Sequence, residues 1–222
     1  MQNKQMDEEE KFQAQNLPSL FDKQKHYKFK VGEIPFDSDD TLKYFYFILS
    51  GKIKIAQYNP QNNKEQTTHL LTRGDMFDII SLLDQKEHYY MATVLEDSEI
   101  IEVSIEQIRS QVHTNPDFNR FFMPYLAKQM RQMEDLAVDL SLYDIYNRLL
   151  RVMVRNINQT KDGLELKLIN NLSHEELASL VGSVRKVVNK NLQVLKDEGI
   201  IELSRKHIKL KSLQKLLNKL KF

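Results

Sequence analysis

The chain has 222 residues, 41% of them hydrophobic and 28% charged, and it contains no cysteine. This composition is typical of a globular protein with one large domain or two ordinary ones. The lack of cysteine excludes disulfides, zinc fingers and cysteine-bound iron–sulfur clusters. The polar N-terminus lacks the apolar core of a signal peptide, and no segment approaches the roughly 18 apolar residues of a transmembrane helix. We therefore expect a cytoplasmic protein without a membrane partner.

The net charge of +1 hides an uneven distribution along the chain. Residues 141–222 carry 16 Lys and Arg against 8 Asp and Glu, a balance of +8, whereas residues 1–140 carry 16 against 23, a balance of −7. An acidic module followed by a basic one indicates that the basic part meets a polyanion. The alternative is a lysine-rich surface that only improves solubility.

Residues 27–105 have the pattern of short β-strands separated by turns. The segment YFYFILSGKIKIAQY, residues 44–58, predicts a tight hairpin at Gly51. Further on, MATVLEDSEIIEVS, residues 91–104, predicts two strands on either side of an Asp97-Ser98 turn. Several short strands at this spacing predict an antiparallel sandwich or barrel.

A helical period replaces the alternation after about residue 105. Asn115 and Pro116 are a helix start, with Asn at the cap and Pro at the first helical position. Downstream, apolar residues recur every three or four positions as in the seam of a coiled coil, which favours pairing with a second copy of the same helix. The alternative is packing of this seam against the barrel of the same chain. The seam residues are Leu126, Met130, Met133, Ala137 and Leu140. A second helix is expected from Asp144 to Asn156.

Residues 171–210, NLSHEELASLVGSVRKVVNKNLQVLKDEGIIELSRKHIKL, predict two helices and a hairpin. Ser173 and Glu176 form a capping box at the start of the first helix, and Gly182 ends it. We expect Ser183 to cap the second helix. That helix has one apolar stripe at helical spacing: Val188, Leu192 and Leu195.

The other face of the second helix carries hydrogen-bond donors and no carboxylate before Asp197: Arg185, Lys186, Asn189, Lys190, Gln193 and Lys196. Two helices joined by a glycine-containing turn are the helix-turn-helix arrangement, whose second helix presents its N-terminal residues to the major groove. Beyond Gly199, IIELSRKHIKL alternates around a basic turn and predicts a β-hairpin wing that brings Arg205, Lys206 and His207 to phosphates. The alternative is a solvated basic face on a helical hairpin.

The order and spacing of these segments resemble the cyclic-AMP receptor protein / fumarate-nitrate regulator (CRP/FNR) family of bacterial transcription factors. The motifs that carry the resemblance are KVGEIPFDSDD, YFILSGKIKI, RGDMF, ATVLEDSEIIEVS, NPDFNRFF, LYDIYNRLLRVM and ELASLVGSVRKVVNKNLQVLKDEGII. The resemblance implies an α+β fold with an N-terminal antiparallel β jelly-roll of the cyclic-nucleotide-binding type at residues 1–112. A dimerisation helix at 113–141 would join it to a C-terminal winged helix-turn-helix at 142–222.

The resemblance also implies a function without a chemical step. The protein is expected to act as a homodimer on a two-fold symmetric DNA operator, with RNA polymerase as a further partner and no enzymatic activity. Whether it activates or represses is not indicated by the sequence.

Carried over residue by residue, the resemblance places Arg185, Lys186 and Lys190 at base-reading positions, with Asn189 on the same face. Many family members have Glu at the position of Lys186, and Lys cannot accept a hydrogen bond from cytosine as Glu does. Lys190 replaces a frequent Arg and loses its bidentate geometry. We therefore expect a DNA preference different from the consensus of the best-known members. The residues expected at DNA are Ser173, His174, Ser183, Arg185, Lys186, Asn189, Lys190, Lys206 and His207.

The sensor half departs from family members that bind cyclic nucleotides. Those members have Gly-Glu after the GD-x-F turn and Arg-Ser before A-T-V, and these groups hold the ribose and the phosphate. Here the corresponding pairs are Asp78-Ile79 and Tyr90-Met91, and Met133 lies where the adenine would be met. A buried phosphate needs a fixed cation or clustered donors. The sequence therefore predicts a degenerate effector pocket that does not bind cyclic AMP.

No cofactor and no metal is expected, because the histidines show no ligand spacing. Haem on His88, or another small molecule, is the alternative within the family. Outside it, a cupin-like enzyme would need a cluster of His and carboxylate on adjacent strands. A protein-interaction module that does not bind DNA is the remaining alternative.

Overall fold

The computed structural model describes residues 24–37, 40, 42–160, 163–166, 168–204 and 207–220. The chain has the predicted α+β fold, with an N-terminal antiparallel sheet, a long helix and a C-terminal helix-turn-helix. It divides into two compact units, Met1–Ile55 with His69–Gln132 and Ala56–Thr68 with Met133–Phe222. The domain boundaries expected from the sequence remain predictions.

Five strands form the antiparallel sheet of the N-terminal half: β1 (Lys25–Phe29), β2 (Tyr44–Asn59), β3 (Lys64–Thr72), β4 (Met76–Phe77) and β5 (Met91–Ser104). Their order is β1-β5-β2-β3, and β4 pairs with β2. Tyr27 of β1 lies opposite Ile100 of β5, and Phe47 of β2 lies opposite Met76 of β4. Because β2 and β5 are central, both of their edges are hydrogen-bonded to neighbouring strands.

Two helices belong to this half, α1 (Ile79–Asp84) and α2 (Ile105–Thr114), and a third, α3 (Pro116–Leu142), begins in it and continues into the second unit. The predicted start of α3 is confirmed, since Asn115 Oδ1 accepts hydrogen bonds from the backbone N–H groups of Asp117 and Phe118. The sequence pattern did not indicate α1 or α2. With six residues, α1 is too short to give a recognisable helical period.

The two faces of β2 pack into two separate cores. Phe45 and Phe47 pack with helical residues such as Phe118 and Phe122, whereas the intervening Tyr46 and Ile48 face the strands. This division follows from the two-residue period of a strand, which sends successive side chains to opposite faces. The strand-side core also contains Phe36, Ile53, Leu71, Phe77, Tyr90, Val94 and Ile100.

Two predicted turns are wrong, because β2 and β5 each run without interruption through them. Gly51 has φ +90°, and a Cβ on it would overlap Ser98 Oγ and lie 2.5 Å from the carbonyl oxygen of Asp97. The glycine therefore allows β2 and β5 to approach closely and does not reverse the chain. Asp97 and Ser98 are the residues of β5 that Gly51 of β2 approaches.

The second unit contains the C-terminal elements. They are α4 (Ile145–Arg155), β6 (Asn158–Thr160), β7 (Gly163–Glu165), α5 (His174–Leu180), α6 (Arg185–Asp197), β8 (Ile201–Ser204), β9 (His207–Leu210) and α7 (Leu213–Lys219). Helix α4 begins as expected after Asp144, whose side chain accepts from the N–H of Asn147 at 2.9 Å. Within the described ranges, no helix is both long and apolar enough to cross a membrane.

Replacing Gly51 with Ala tests the close approach of β2 and β5. We expect Gly51→Ala to lower the free energy of unfolding by about 4 kcal/mol, because backbone strain at positive φ adds to steric overlap. Gly32 also has φ +90°, but a Cβ on it meets nothing within 4 Å. Gly32→Ala should therefore cost only the strain, about 1–2 kcal/mol. Equal losses for the two variants in urea unfolding would contradict the packing explanation.

Candidate nucleic-acid interface and effector pocket

The first helix of the helix-turn-helix begins with the predicted capping box. Ser173 Oγ accepts from the N–H of Glu176 at 3.2 Å, and the Glu176 carboxylate accepts from the N–H of Ser173. Helix α5 ends at Leu180, and Gly182 follows with φ +66°. The hydroxyl oxygen of Ser173 is thus engaged in the cap, and His174, the first residue of α5, is half-buried.

The second helix starts differently from the prediction. Ser183 is not its cap: α6 begins at Arg185 after Val184, and no side chain caps it. The N–H of Ser183 instead donates to the carbonyl of Ala178 at 2.9 Å, so this residue belongs to the turn. The physical reason is that Val184 has an extended backbone (φ −114°, ψ 150°), which moves the helix start one residue onward. The N–H of Val187 donates to the carbonyl of Val184 at 3.0 Å, and within the described residues the N–H groups of Arg185 and Lys186 have no acceptor, so they are open to an external one such as a phosphate.

Burial of one stripe determines which face of α6 meets solvent. Val188, Leu192 and Leu195 are completely buried, as the sequence predicted. The residues expected to read bases lie on the opposite side and are all exposed: Arg185, Lys186, Asn189 and Lys190. Over the part of the chain that the structure describes, none of these four side chains donates to another residue. Their donors are therefore available to the base edges and phosphates of DNA.

The hairpin wing extends this surface. Strands β8 and β9 pair with Ser204 opposite His207, and Ile208 and Leu210 are buried. The alternate residues His207, Lys209 and Lys211 are exposed. Lys209 and Lys211 were not in the sequence-based set, although the alternation through β9 and the residue after it would have indicated that they are exposed. Arg205 and the predicted contact Lys206 lie outside the described residues.

The predicted effector pocket centres on a buried carboxylate. Asp78 is 1% exposed and caps α1 by accepting from the N–H of Ile80 at 3.2 Å and from Ser81 Oγ at 2.7 Å. His88 Nδ1 lies 3.2 Å from each oxygen of the same carboxylate. The hydrogen-bonding capacity of Asp78 is therefore largely used by this chain's own groups.

The other predicted pocket residues are only partly brought together. Tyr90 is buried, donates its hydroxyl to the Asp37 carbonyl at 2.9 Å, and packs edge-on against Phe77 and His88. Ile79 packs towards the helix-side core, and Met91 is 40% exposed. Met133 lies on α3 in the second unit. Asp78 and Tyr90 therefore share one site around His88, whereas Ile79 and Met91 lie on its outside.

Helix α1 is also fixed at its C-terminal end. Arg109 of α2 donates from Nε to the carbonyl of Leu82 and from Nη2 to the carbonyl of Ser81, both at 3.1 Å. A cation at a helix C-terminus neutralises the carbonyls that have no helical partner. The segment that would surround a phosphate is thus held at both ends by this protein's own side chains.

A half-buried histidine adds to this environment. Burial and the neighbouring His88 lower the pKa of His69 from 6.5 to about 4. His69 is therefore uncharged near neutral pH and supplies no cation for a phosphate. Nor does an arginine occur between Arg73, which is exposed, and Arg109, which holds α1.

Two family models match the chain over its two halves. Residues 27–115 match the cyclic nucleotide-binding domain, and residues 146–219 match the Crp-like helix-turn-helix domain. The chain is similar to the CRP-like cAMP-activated global transcriptional regulator of Mycobacterium tuberculosis, with 26% identity covering 85% of this chain and 84% of that protein. It is also similar to the global nitrogen regulator of a Nostoc species, with 26% identity covering 81% and 82% of the two chains.

A solved structure shares the fold. A CooA variant from Carboxydothermus hydrogenoformans superposes with a TM-score of 0.77 and 21% identity, covering 94% of this chain and 93% of that one. The agreement extends over the N-terminal sheet, the long helix and the C-terminal helix-turn-helix.

The low pKa of His69 predicts a stability loss in acid. The unfolded chain takes up a proton on His69 below about pH 6.5, whereas the folded chain does so only near pH 4. Stability should therefore fall as the pH decreases through this window, by up to about 3 kcal/mol from this residue. Urea unfolding of the wild type and His69→Gln at pH 4.5 to 7.5 measures the difference.

His113→Gln is measured beside it as a histidine-to-glutamine change at an exposed position, where Nδ1 lies 2.7 Å from the carbonyl oxygen of Arg109. If His69→Gln kept the wild-type dependence of stability on pH, the linkage to His69 would be refuted.

Proposed function

Because the chain belongs to the CRP/FNR family of DNA-binding transcriptional regulators, we propose that it acts as a homodimer on a two-fold symmetric operator and does not use cyclic AMP as effector. The observation that carries the DNA-reading role is the exposed face of α6 with Arg185, Lys186, Asn189 and Lys190. RNA polymerase is the further partner that this function implies, and the cytoplasm is its compartment. The domain limits 112/113 and 141/142 belong to the same proposal.

The dimer is supported by the seam of α3. Met130 is 65% exposed and Ala137 is exposed, whereas Leu126, Met133 and Leu140 are half-buried in the single chain. A second copy of α3 would cover this row of apolar side chains, as in a two-stranded coiled coil. The resulting two-fold axis would present the two recognition helices to successive major-groove half-sites.

The exclusion of cyclic AMP is supported by the electrostatics around Asp78. A cyclic phosphate would bring a negative charge close to a buried carboxylate, and desolvation of that charge would have to be balanced by a cation. The candidate cations are used or absent: Arg109 holds α1, and the low pKa of His69 keeps it neutral. The CRP-like regulator of M. tuberculosis is named as cAMP-activated, so we expect this chain to differ from that relative in its effector.

The alternatives inferred from sequence have weaker support. Haem on His88 does not fit the site well, because the ring is held by Asp78 and lies against Phe77 and Tyr90. A cupin-like enzyme needs a metal-binding cluster, and the described residues contain no group of three or more His, Asp or Glu that could hold a metal. A protein-interaction module would leave the donor face of α6 without a role. An absorption spectrum without a Soret band supports our assignment against haem.

Substitution of Arg185 tests the DNA-reading face. The wild-type operator is first obtained by selection from a random duplex library. Arg185→Ala should then weaken binding by about 1–3 kcal/mol and relax the preference at one base pair in each half-site. Wild-type binding should also fall steeply as salt rises, because phosphate contacts release counterions. We further expect the selected operator to differ from the consensus of the best-known family members.

His207→Ala is the matched control, since His207 lies in the wing and we assign it to phosphate. It should weaken binding equally for all sequences. If Arg185→Ala behaved in the same way, Arg185 would be a phosphate contact. A wild type that bound no duplex in the selection would support the protein-interaction module instead.

Titration with cyclic nucleotides tests the effector proposal. We expect cyclic AMP and cyclic GMP at about 1 mM to leave the thermal midpoint of unfolding unchanged. At that concentration, a ligand with a dissociation constant of about 0.1 mM would add about 1.4 kcal/mol to the free energy of unfolding. AMP serves as the control for unspecific phosphate effects. A saturable rise of the midpoint with cyclic AMP but not AMP would overturn the proposal.

A further inference from the structure

The C-terminal end of α3 is joined to α4 by charged side chains. We name Asp139, Arg148, Arg151 and Arg155 the hinge cluster. The three arginines are spaced by three and four residues, so they lie along one face of α4. All four residues belong to the second unit.

Asp139 is the centre of the hinge cluster. It is 4% exposed, and its carboxylate accepts from Arg151 Nε at 2.5 Å and from Arg155 Nη1 at 2.6 Å. Arg151 also lies over the Tyr143 ring, 4.3 Å from its centroid. Removal of one member of a buried ion pair leaves an uncompensated charge. The carboxylate of Asp139 therefore attaches α4 to α3 through two arginines.

Arg148 extends the cluster to the helix-turn-helix. Its Nε donates to the carbonyls of Asp139 at 3.0 Å and Tyr143 at 2.8 Å, and its Nη2 donates to that of Leu140 at 2.8 Å. Its Nη1 donates to the carbonyl of Val181 at 3.0 Å. One guanidinium therefore connects the last turn of α3, the hinge at Tyr143 between α3 and α4, and the turn between α5 and α6.

The turn itself packs directly on α3. A Cβ on Gly182 would lie 2.5 Å from Leu140 Cδ2 and 3.2 Å from Arg148 Nη1. No larger residue fits there without displacing one of these groups. Gly182 therefore follows the end of α5 and also lets the turn, three residues before the start of α6, contact α3.

The same turns of α3 carry the dimer seam, with Met133, Ala137 and Leu140 around Asp139. In a homodimer, the position of α6 relative to the two-fold axis would follow from this attachment. We propose that Asp139 and Arg148 are positioning residues that set the half-site spacing accepted by the dimer. This inference rests on the dimeric function proposed above.

The physical basis is rigidity. One inserted base pair rotates a half-site by about 34° around the duplex. Because Arg148 joins the carbonyl of Val181, in the turn before α6, to carbonyls at the end of α3, α6 does not follow this displacement freely. If the cluster is weakened, each helix-turn-helix can reorient, so that displaced half-sites are tolerated. At the native spacing, binding of one half-site then favours binding of the other less strongly.

The experiment measures binding of the full chain to the selected operator, to versions shortened or lengthened by one and two base pairs, and to a single half-site. We expect Asp139→Asn to weaken binding to the native spacing by roughly tenfold and to flatten the dependence on spacing. Binding to the single half-site should stay unchanged. Arg155→Gln removes the more exposed partner of Asp139 and should produce the same pattern more weakly. This second variant keeps the inference testable if Asp139→Asn fails to fold.

The exposed pair Asp117 and Arg120, 3.0 Å apart on the same long helix, supplies matched controls. Asp117→Asn and Arg120→Gln should keep the wild-type spacing profile. A spacing profile that stays sharp in Asp139→Asn and Arg155→Gln would overturn the inference, as would an equal loss on the half-site. A wild type that does not prefer paired half-sites would refute the dimeric function itself, which is a separate result.

Discussion

The burial of one apolar stripe on α6 is the constraint on which the DNA-reading surface depends. Val188, Leu192 and Leu195 are completely buried, and an α-helix with one face fixed in a core has no freedom to rotate about its axis. Arg185, Lys186, Asn189 and Lys190 are consequently exposed together, without any interaction among themselves being required. A face that carries three cations and no carboxylate is unfavourable in isolation, and it is tolerated because hydrophobic packing on the opposite side determines the orientation of the helix.

Much of the fold could be inferred from local patterns, and the failures have physical reasons. The starts of α3, α4 and α5 were predicted because each depends on one polar side chain at the cap: Asn115, Asp144 and Ser173. Gly51 and the Asp97-Ser98 pair were wrongly assigned to turns. Their role is a contact between residues 47 positions apart, and a local window contains no information about it.

The two candidate sites also differ in how far they can be predicted from the sequence. The exposed face of α6 follows from helical period alone, and the structure places its residues together as the pattern indicates. The surroundings of Asp78 do not follow from sequence, because the nearby side chains of His69 and His88 come from separate segments. Nor does the sequence distinguish a basic residue that is available to DNA from one that is used internally. Arg148, Arg151 and Arg155 contribute to the positive charge of the C-terminal part but are paired within it.

The interlocking of Gly182 with Leu140 and Arg148 has a consequence for protein engineering. A helix-turn-helix of this kind is not an independent cassette, because its turn is shaped to fit the end of α3. A chimaeric regulator joined at the hinge near Tyr143 would pair a foreign turn with the native Leu140 and would combine two surfaces that did not evolve together. The natural exchange unit begins before Asp139, so that the last turn of α3, the arginines of α4 and the turn with Gly182 are transferred as one piece.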